Sequence, residues 1–287
     1  MAETFPFVRL EEPLAPRTRL GVGGCAEIFA EPPTFEDLRA FVREATAAGL
    51  GLRVLGGGTN LLVSDEGVRG AVISLARFNP LRRDGDRVFV GAGVRLQEIV
   101  IRSIPWGLSG LHRLAGVPGT VGGAIRMNAG GRYGEIGGFV RSLDVLHPDG
   151  GVETIGPDRF GFSYRQGRFP GLCIVGAELE LSPGDRFALR AEYDEILCQK
   201  RQTQPYHDQS AGCMFKNPTG ASAGQLIDQT GLKGSRIGGA SVSRVHANFI
   251  VTSAEATAED VFRLADQVQS EVERRFGVRL EREVQAW

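Results

Sequence analysis

A mixed α+β fold divided into more than one domain is what this sequence predicts, and three observations carry that expectation. Strand-like apolar runs and amphipathic helical segments both occur along the chain. Its 287 residues exceed one minimal core and suit two or three modest domains, at roughly 100–150 residues each. Its 40 glycines, about twice the average share of ~7%, are gathered into clusters.

After a short N-terminal arm, residues 34–49 (TFEDLRAFVREATAAG) read as an amphipathic helix. Thr34 is its N-cap with Asp37 as a capping-box-like partner, and Phe35, Leu38, Phe41, Val42 and Ala45 share one face. Gly49 and Gly51 stop it. Residues 52–75 run strand, glycine-rich loop, strand; 87–91 form a strand, 96–104 a helix, and 143–147 and 173–181 further strands. Between them, 115–138 is too rich in glycine for a regular element and too apolar for a solvated linker. Residues 192–204 read as a charged helix, and the main domain boundary is expected near it. A short helix at 222–231, a glycine-rich segment at 234–243 and a strand at 246–252 follow. The most regular helix is 257–277, capped by Thr257 and Asp260, buried through Val261, Leu264, Val268, Val272 and Phe276, and ended by Gly277.

Lys and Arg number 33 against 34 Asp and Glu, a formal net charge of −1, so no global field recruits nucleic acid or an anionic membrane. A partner must be held by a local site. The opening MAETFPFVRLEEPL has no basic segment leading into an apolar run, so no secretory signal is expected. No stretch approaches the roughly 20 apolar residues of a membrane span. Cys25, Cys173, Cys198 and Cys213 form no CxxC pair, as in a reducing compartment, which points to the cytoplasm.

Gly56, Gly57, Gly58, Thr59 and Asn60 place successive backbone N–H groups, with no Cβ in the way, ahead of hydroxyl and amide side chains. That suits a pyrophosphate cradle. The segment neither opens a helix as G-x-G-x-x-G nor matches a P-loop, so an ordinary nucleotide fold is disfavoured; alone, a tight structural turn explains it as well. The second glycine cluster, 115–131, shifts the balance, because two close-approach loops suit one long ligand crossing both. A dinucleotide such as FAD has the length, with a pyrophosphate for one loop and a flat ring system for the other. The alternative is a structural glycine-rich crossover.

In FSYRQGRF, Tyr164 and Arg165 can offer a hydroxyl and a bidentate guanidinium to a carboxylate or phosphate, although such a pair is more often a strand edge. In SAGCMFKNP, the Ala-Gly pair can present the Cys213 thiol to a ligand. The commoner fate of such a thiol is a packed small hydrophobe, whereas Lys216 and Asn217 favour exposure. Lys233, His246 and Glu283 follow in LKG, HAN and LEREV, where surface roles are the commoner ones.

Taken in order, VLGGGTNLLVSD, LAGVPGTVGGAIRMNAG, FSYR, SAGCMFKNP, LIDQTGLKGSRIGGASVS, HANFIV and LEREV resemble the UDP-N-acetylenolpyruvoylglucosamine reductase (UDP-N-acetylmuramate dehydrogenase) family, from about residue 15 to the C-terminus. The resemblance implies the two-part FAD-binding fold shared with vanillyl-alcohol-type oxidases plus a smaller α/β domain for a UDP-sugar. Residues 1–77 and 78–203 would be the two FAD-binding parts and 204–287 the substrate domain, the last residues being candidates to return to the first part. The spacing from Tyr164 to Cys213 is similar to the compact, type II subclass, which lacks an insertion carrying an extra substrate-binding tyrosine. Gly56 to Leu61 would hold the FAD pyrophosphate. Gly116, Val117, Pro118, Gly119, Thr120, Gly122, Gly123, Ala124 and Ile125 would run beside the flavin.

The reaction implied is reduction of UDP-N-acetylglucosamine enolpyruvate to UDP-N-acetylmuramate for peptidoglycan. NADPH would reduce the flavin, and hydride would then pass to the methylene carbon of the enolpyruvyl ether. Negative charge grows on the α-carbon and its carboxylate, so fixed positive charge is needed there. By the resemblance, Arg165 meets that carboxylate, Glu283 is its acidic partner, and Tyr164 orients the pair. Cys213 gives the α-carbon its proton, and Lys216, Asn217, Lys233 and His246 bind the nucleotide sugar. Two positions depart from the family pattern: its usual proton donor is serine, and His246 replaces a glutamine of some longer members. A thiol with a pKa near ~8.5 stays mostly protonated at neutral pH, so an active enzyme is expected. Another oxidoreductase on the same flavin fold and a non-catalytic UDP-sugar binding protein stand as the alternatives. No metal and no obligatory protein partner are implied.

Overall fold

The computed structural model describes Met1 and residues 3–287. The chain divides into two discontinuous units: Met1–Leu10, Ile28–Gly57 and Gly70–Gln199 form the first, and Glu11–Glu27, Gly58–Arg69 and Lys200–Trp287 the second. The helices are α1 (Phe35–Ala47), α2 (Leu96–Ser103), α3 (Val121–Arg126), α4 (Arg186–Thr203), α5 (Ala223–Gln229) and α6 (Ala258–Phe276).

In the first unit, α1 starts where its cap is. The Asp37 N–H donates to Thr34 Oγ1 at 3.1 Å, and Glu36 and Asp37 occupy the turn where the helix dipole favours acids. Its stripe buries Leu38, Phe41, Val42 and Ala45, with Phe5 edge-on to Phe41 at 5.5 Å, while Phe35 is half-buried. Strand Leu52–Leu55 runs parallel to the strand ending at Ser74, in register from Leu52 with Ala71 to Leu55 with Ser74. A second sheet is antiparallel, in the order Val152–Ile155, Val140–Leu146, Cys173–Glu180, Arg87–Gly91, Leu81–Asp84. α3 lies on two of its inner strands, Cys173–Glu180 and Arg87–Gly91, and Ile99, Val121, Ile125, Leu143, Val145 and Leu179 share the core. Each such side chain contributes about 1.5–3 kcal/mol on burial. Burial also pushes the Cys173 thiol up to about 12, so it behaves as a small hydrophobe.

Two expectations fail in this unit. The glycine-rich stretch 115–138 does hold a regular element, α3. Thr120 Oγ1 caps it by accepting the Gly123 N–H at 3.4 Å, and Val121, Ala124 and Ile125 give it a buried face. Packing there outweighs the low helix propensity of Gly122 and Gly123. Helix α4 begins at Arg186 rather than 192, because Asp185 Oδ1 accepts the Phe187 and Ala188 N–H groups at 3.1 and 2.9 Å.

In the second unit, α6 carries the predicted capping box of Thr257 and Asp260 and ends on Gly277 at φ 68°. The Asp65 carboxylate is a further cap, accepting the Ala258 and Glu259 N–H groups at 2.9 Å each. Val261, Leu264, Val268 and Val272 are buried as predicted, whereas Phe276 is half-buried. The helix packs across an antiparallel sheet of Arg236–Ile237, Ala240–Val242 and Ile250–Thr252. The strand expected over 246–252 is confined to Ile250–Thr252, because the chain turns before it, the Phe249 N–H donating to the His246 carbonyl at 3.0 Å. The C-terminal Gln285–Ala286 pairs in parallel with Leu61–Leu62, and the Trp287 carbonyl accepts the Ser64 N–H. No helix among the described residues is long and apolar enough to cross a membrane.

Candidate active site

In the first unit the two glycine clusters meet. A Cβ added to Gly56 would lie 2.8 Å from Thr120 Oγ1, and one on Gly57 would lie 2.8 Å from Gly119 Cα, so this closeness exists only because both positions lack side chains. Gly116 and Gly119 take left-handed conformations, φ 73° and 108°, that shape the second loop. The backbone ties it down through Leu96 N–H to the Gly119 carbonyl (2.9 Å), Val121 N–H to that of Val94 (2.8 Å) and Gly122 N–H to that of Ala92 (2.9 Å). Gln97, in the first turn of α2, clamps the rest. Its amide Nε2 donates to the Leu114 and Val117 carbonyls at 2.9 Å each, and its Oε1 accepts the Gly116 N–H at 3.0 Å. Gly56, Gly57, Pro118 and Gly123 are exposed, whereas Ala124 and Ile125 are core residues.

Tyr164 and Arg165 form the two-residue turn of a hairpin, Gly161–Ser163 against Gln166–Arg168, rather than a strand edge. Arg165 sits at φ 57°, a conformation that costs a side-chain-bearing residue about 1 kcal/mol. Its guanidinium lies 5.3 Å from the Tyr164 ring centroid, and Nη1 donates to the Gly130 carbonyl at 2.7 Å. The hairpin abuts α3: a Cβ on Gly167 would come 2.3 Å from the Ile125 carbonyl.

In the second unit, backbone bonds bring three of the predicted residues side by side. Cys213 pairs with Phe249; the Met214 N–H donates to the Asn248 carbonyl at 2.7 Å, and the Met214 carbonyl accepts the Glu283 N–H at 2.8 Å. The segment carrying the thiol therefore lies between the His246–Phe249 turn and the strip carrying Glu283. Gly212 turns into it at φ 82°, and the half-buried Cys213 is neither fully packed nor fully solvated. Asn60, on the loop predicted to cradle pyrophosphate, donates from Nδ2 to the Glu283 carbonyl at 3.2 Å, and Gly58 is buried, with room for no Cβ 2.0 Å from the Arg17 carbonyl.

His246 has its Nδ1 accepting the Asn248 N–H at 3.2 Å, which leaves the hydrogen on Nε2. Burial, then the neighbouring Lys233 charge, holds its pKa below the ordinary value, so it presents a neutral N–H donor at pH 7. Other predicted residues engage neighbours: Lys233 pairs with Asp228 at 3.0 Å, Lys216 with Glu281, and Asn217 Oδ1 accepts the Ala223 N–H at the start of α5 at 3.0 Å.

Sequence reasoning passes over Gln97, Asn128 and Asn248. Asn248 is 3% exposed, accepts the Phe215 N–H on Oδ1 at 2.9 Å and donates Nδ2 to the Phe215 carbonyl at 2.8 Å. An amide inside the apolar run HANFIV was its available signal, since a buried amide must be hydrogen-bonded.

Comparison with known proteins agrees with both units. The family profile described as FAD binding domain matches residues 26–156, and that described as UDP-N-acetylenolpyruvoylglucosamine reductase, C-terminal domain, matches 204–287. The chain is 44% identical to UDP-N-acetylenolpyruvoylglucosamine reductase 2 of Symbiobacterium thermophilum, over 98% of this chain and 92% of that one. It is 43% identical to the reductase of Geobacter metallireducens, over 96% and 92%. The crystal structure of the reductase from Thermus caldophilus superposes with a TM-score of 0.85 at 39% identity, covering 98% of this chain and all of that one.

Proposed function

From the premise that the chain belongs to the UDP-N-acetylenolpyruvoylglucosamine reductase family, and is thus an FAD-binding oxidoreductase of peptidoglycan synthesis, we propose that it takes its electrons from NADPH and uses Cys213 as the proton donor to its substrate. The supporting observation is the thiol segment itself, half-buried and tied by backbone bonds to the strips carrying His246 and Glu283.

The residues present fit FAD. Gly56 and Gly57 approach Gly119 and Thr120 at distances no Cβ could share, which leaves an exposed strip of backbone for a pyrophosphate and a flat ring. Gly56 to Leu61 and Gly116 to Ile125 are the segments proposed to hold it. When bound, FAD supplies the hydride that the enolpyruvyl methylene carbon takes up.

The chain's own residues handle charge and proton. Arg165 is proposed to hold the substrate carboxylate bidentately, countering the negative charge that spreads onto it from the α-carbon, with Glu283 as its acidic partner. Tyr164, stacked on the guanidinium, orients it. Cys213 Sγ–H then breaks, its proton forming the α-carbon C–H bond of the lactyl ether and its electron pair staying on sulfur as thiolate. Lys216, Asn217, Lys233 and His246 are proposed to hold the nucleotide sugar, His246 through its neutral Nε2–H. A reaction between NADPH and a UDP-sugar sets the enzyme in the cytoplasm. Purified protein should be yellow, bleach with NADPH, and regain its colour without oxygen when UDP-N-acetylenolpyruvoylglucosamine is added; colour returning only with oxygen would refute the proposal.

A further inference from the structure

Asn128 is 2% exposed and lies one residue past Met127, the C-cap of α3, in the left-handed conformation at φ 43° that Asn tolerates better than most residues. Its amide is used from both ends. Nδ2 donates to Glu135 Oε2 at 2.7 Å and to the Ser163 carbonyl at 3.1 Å, and Oδ1 accepts the Gly137 N–H at 3.0 Å. Gly137 is required for that approach, since a Cβ there would lie 2.7 Å from Asn128 Oδ1 and 2.5 Å from the Phe162 ring.

Two of these partners, Ser163 and Glu135, lead to Arg165. Ser163 is the last strand residue before the Tyr164–Arg165 turn. Gly130, whose carbonyl takes the Arg165 guanidinium, and Glu135 belong to the small hairpin Gly130–Gly131 and Gly134–Glu135, where Glu135 pairs with Gly130. The Ser163–Gln166 pair of its own hairpin closes the turn, yet Arg165 within it occupies a backbone conformation disfavoured for a side-chain-bearing residue, so closure of the hairpin alone does not fix it. Its position therefore depends on outside anchors, and Asn128 binds both the strand leading into the turn and the hairpin that receives the guanidinium.

We propose that Asn128 is a positioning residue for Arg165: one buried amide fixes the Arg165 backbone through Ser163 and its side chain through the Glu135–Gly130 hairpin. The proposal rests on the carboxylate-binding role given to Arg165 above. A misplacement of about 1 Å in such a group is enough to cost on the order of 10²-fold in rate.

The test uses the FAD-loaded enzyme and reads its two half-reactions separately under anaerobic conditions. N128G is the primary variant, because glycine keeps the left-handed backbone and removes only the amide. N128G should hold FAD and be reduced by NADPH at the wild-type rate, while reoxidation by UDP-N-acetylenolpyruvoylglucosamine slows by roughly 10- to 100-fold. The double variant N128G/R165K should reoxidise no more slowly than R165K, since an effect acting through Arg165 is lost once Arg165 is replaced. If N128G does not fold, E135Q takes its place, with a smaller slowing in the same direction and the same non-additivity. A defective R165K whose defect multiplies with that of N128G or E135Q would overturn the proposal alone, as would reoxidation of N128G or E135Q at the wild-type rate. R165K reoxidising like wild type would overturn the reading of Arg165 and the proposal with it.

Discussion

Gly57→Ala isolates the contact between the two glycine loops. The added Cβ would lie 2.8 Å from Gly119 Cα, 3.3 Å from its carbonyl carbon and 3.5 Å from Thr120 N, all backbone atoms that no rotamer change can move. Gly57 is not in the left-handed region, so alanine meets overlap and no backbone strain. Restoring ordinary contact at 3.4 Å requires the loops to part by about 0.6 Å. Overpacking of this kind costs about 1–3 kcal/mol. The second loop is tied down, but Gly56 and Gly57 are exposed, so their side of the contact can give way in apoprotein and most of that cost should fall on the FAD complex. At about 1.4 kcal/mol per tenfold, FAD should bind roughly 5- to 150-fold more weakly. Fluorescence titration of apoprotein with FAD measures this, and Gly51→Ala, whose Cβ would meet nothing within 4 Å, is the control and should bind as wild type. Gly57→Ala binding FAD within about twofold of wild type would refute the placement of the cofactor at this contact.

Because thiols oxidise where hydroxyls do not, wild-type activity should fall on exposure to peroxide while Cys213→Ser keeps appreciable turnover and resists; equal sensitivity of the two would count against an accessible functional thiol. Asn248→Leu strands the buried Phe215 N–H and carbonyl, at about 1–3 kcal/mol each, so the urea midpoint should drop clearly; an unchanged midpoint would contradict that account. His246 titrates below the ordinary 6.5 in the folded chain, so on acidification the unfolded state binds its proton first. Stability is therefore withdrawn as pH falls from 6.5 toward the lower folded value, and His246→Gln should flatten that loss. An NMR titration midpoint for His246 above 6.5 would reverse the sign.

What was legible in the sequence was local. α1 and α6 announce themselves because Thr34 and Thr257 cap stripes of 3.6-residue period, and Gly277 supplies the left-handed stop. Cys213, ambiguous alone, gained meaning only from the order of the motifs around it. The less legible features depend on distant chain. α3 exists because Val121, Ala124 and Ile125 find a sheet to cover, which glycine content cannot reveal. Residues 11–27 and 58–69 belong with the C-terminal part through backbone pairing such as Leu61 with Gln285, a register that no local pattern encodes. Tyr164 and Arg165 gave a chemical signal, but their turn follows from strand register and a positive φ at Arg165. Gln97, Asn128 and Asn248 escape sequence reasoning because a clamping amide looks like any surface amide until its surroundings are known.

The most direct test of the account is anaerobic stopped-flow absorbance on Cys213→Ala beside the wild type. NADPH should bleach the flavin of both at the same rate. UDP-N-acetylenolpyruvoylglucosamine should then restore the colour of the wild type quickly and that of Cys213→Ala about 10²-fold or more slowly, as expected when a general acid is removed. Equal reoxidation rates in the two proteins would show that the proton comes from elsewhere.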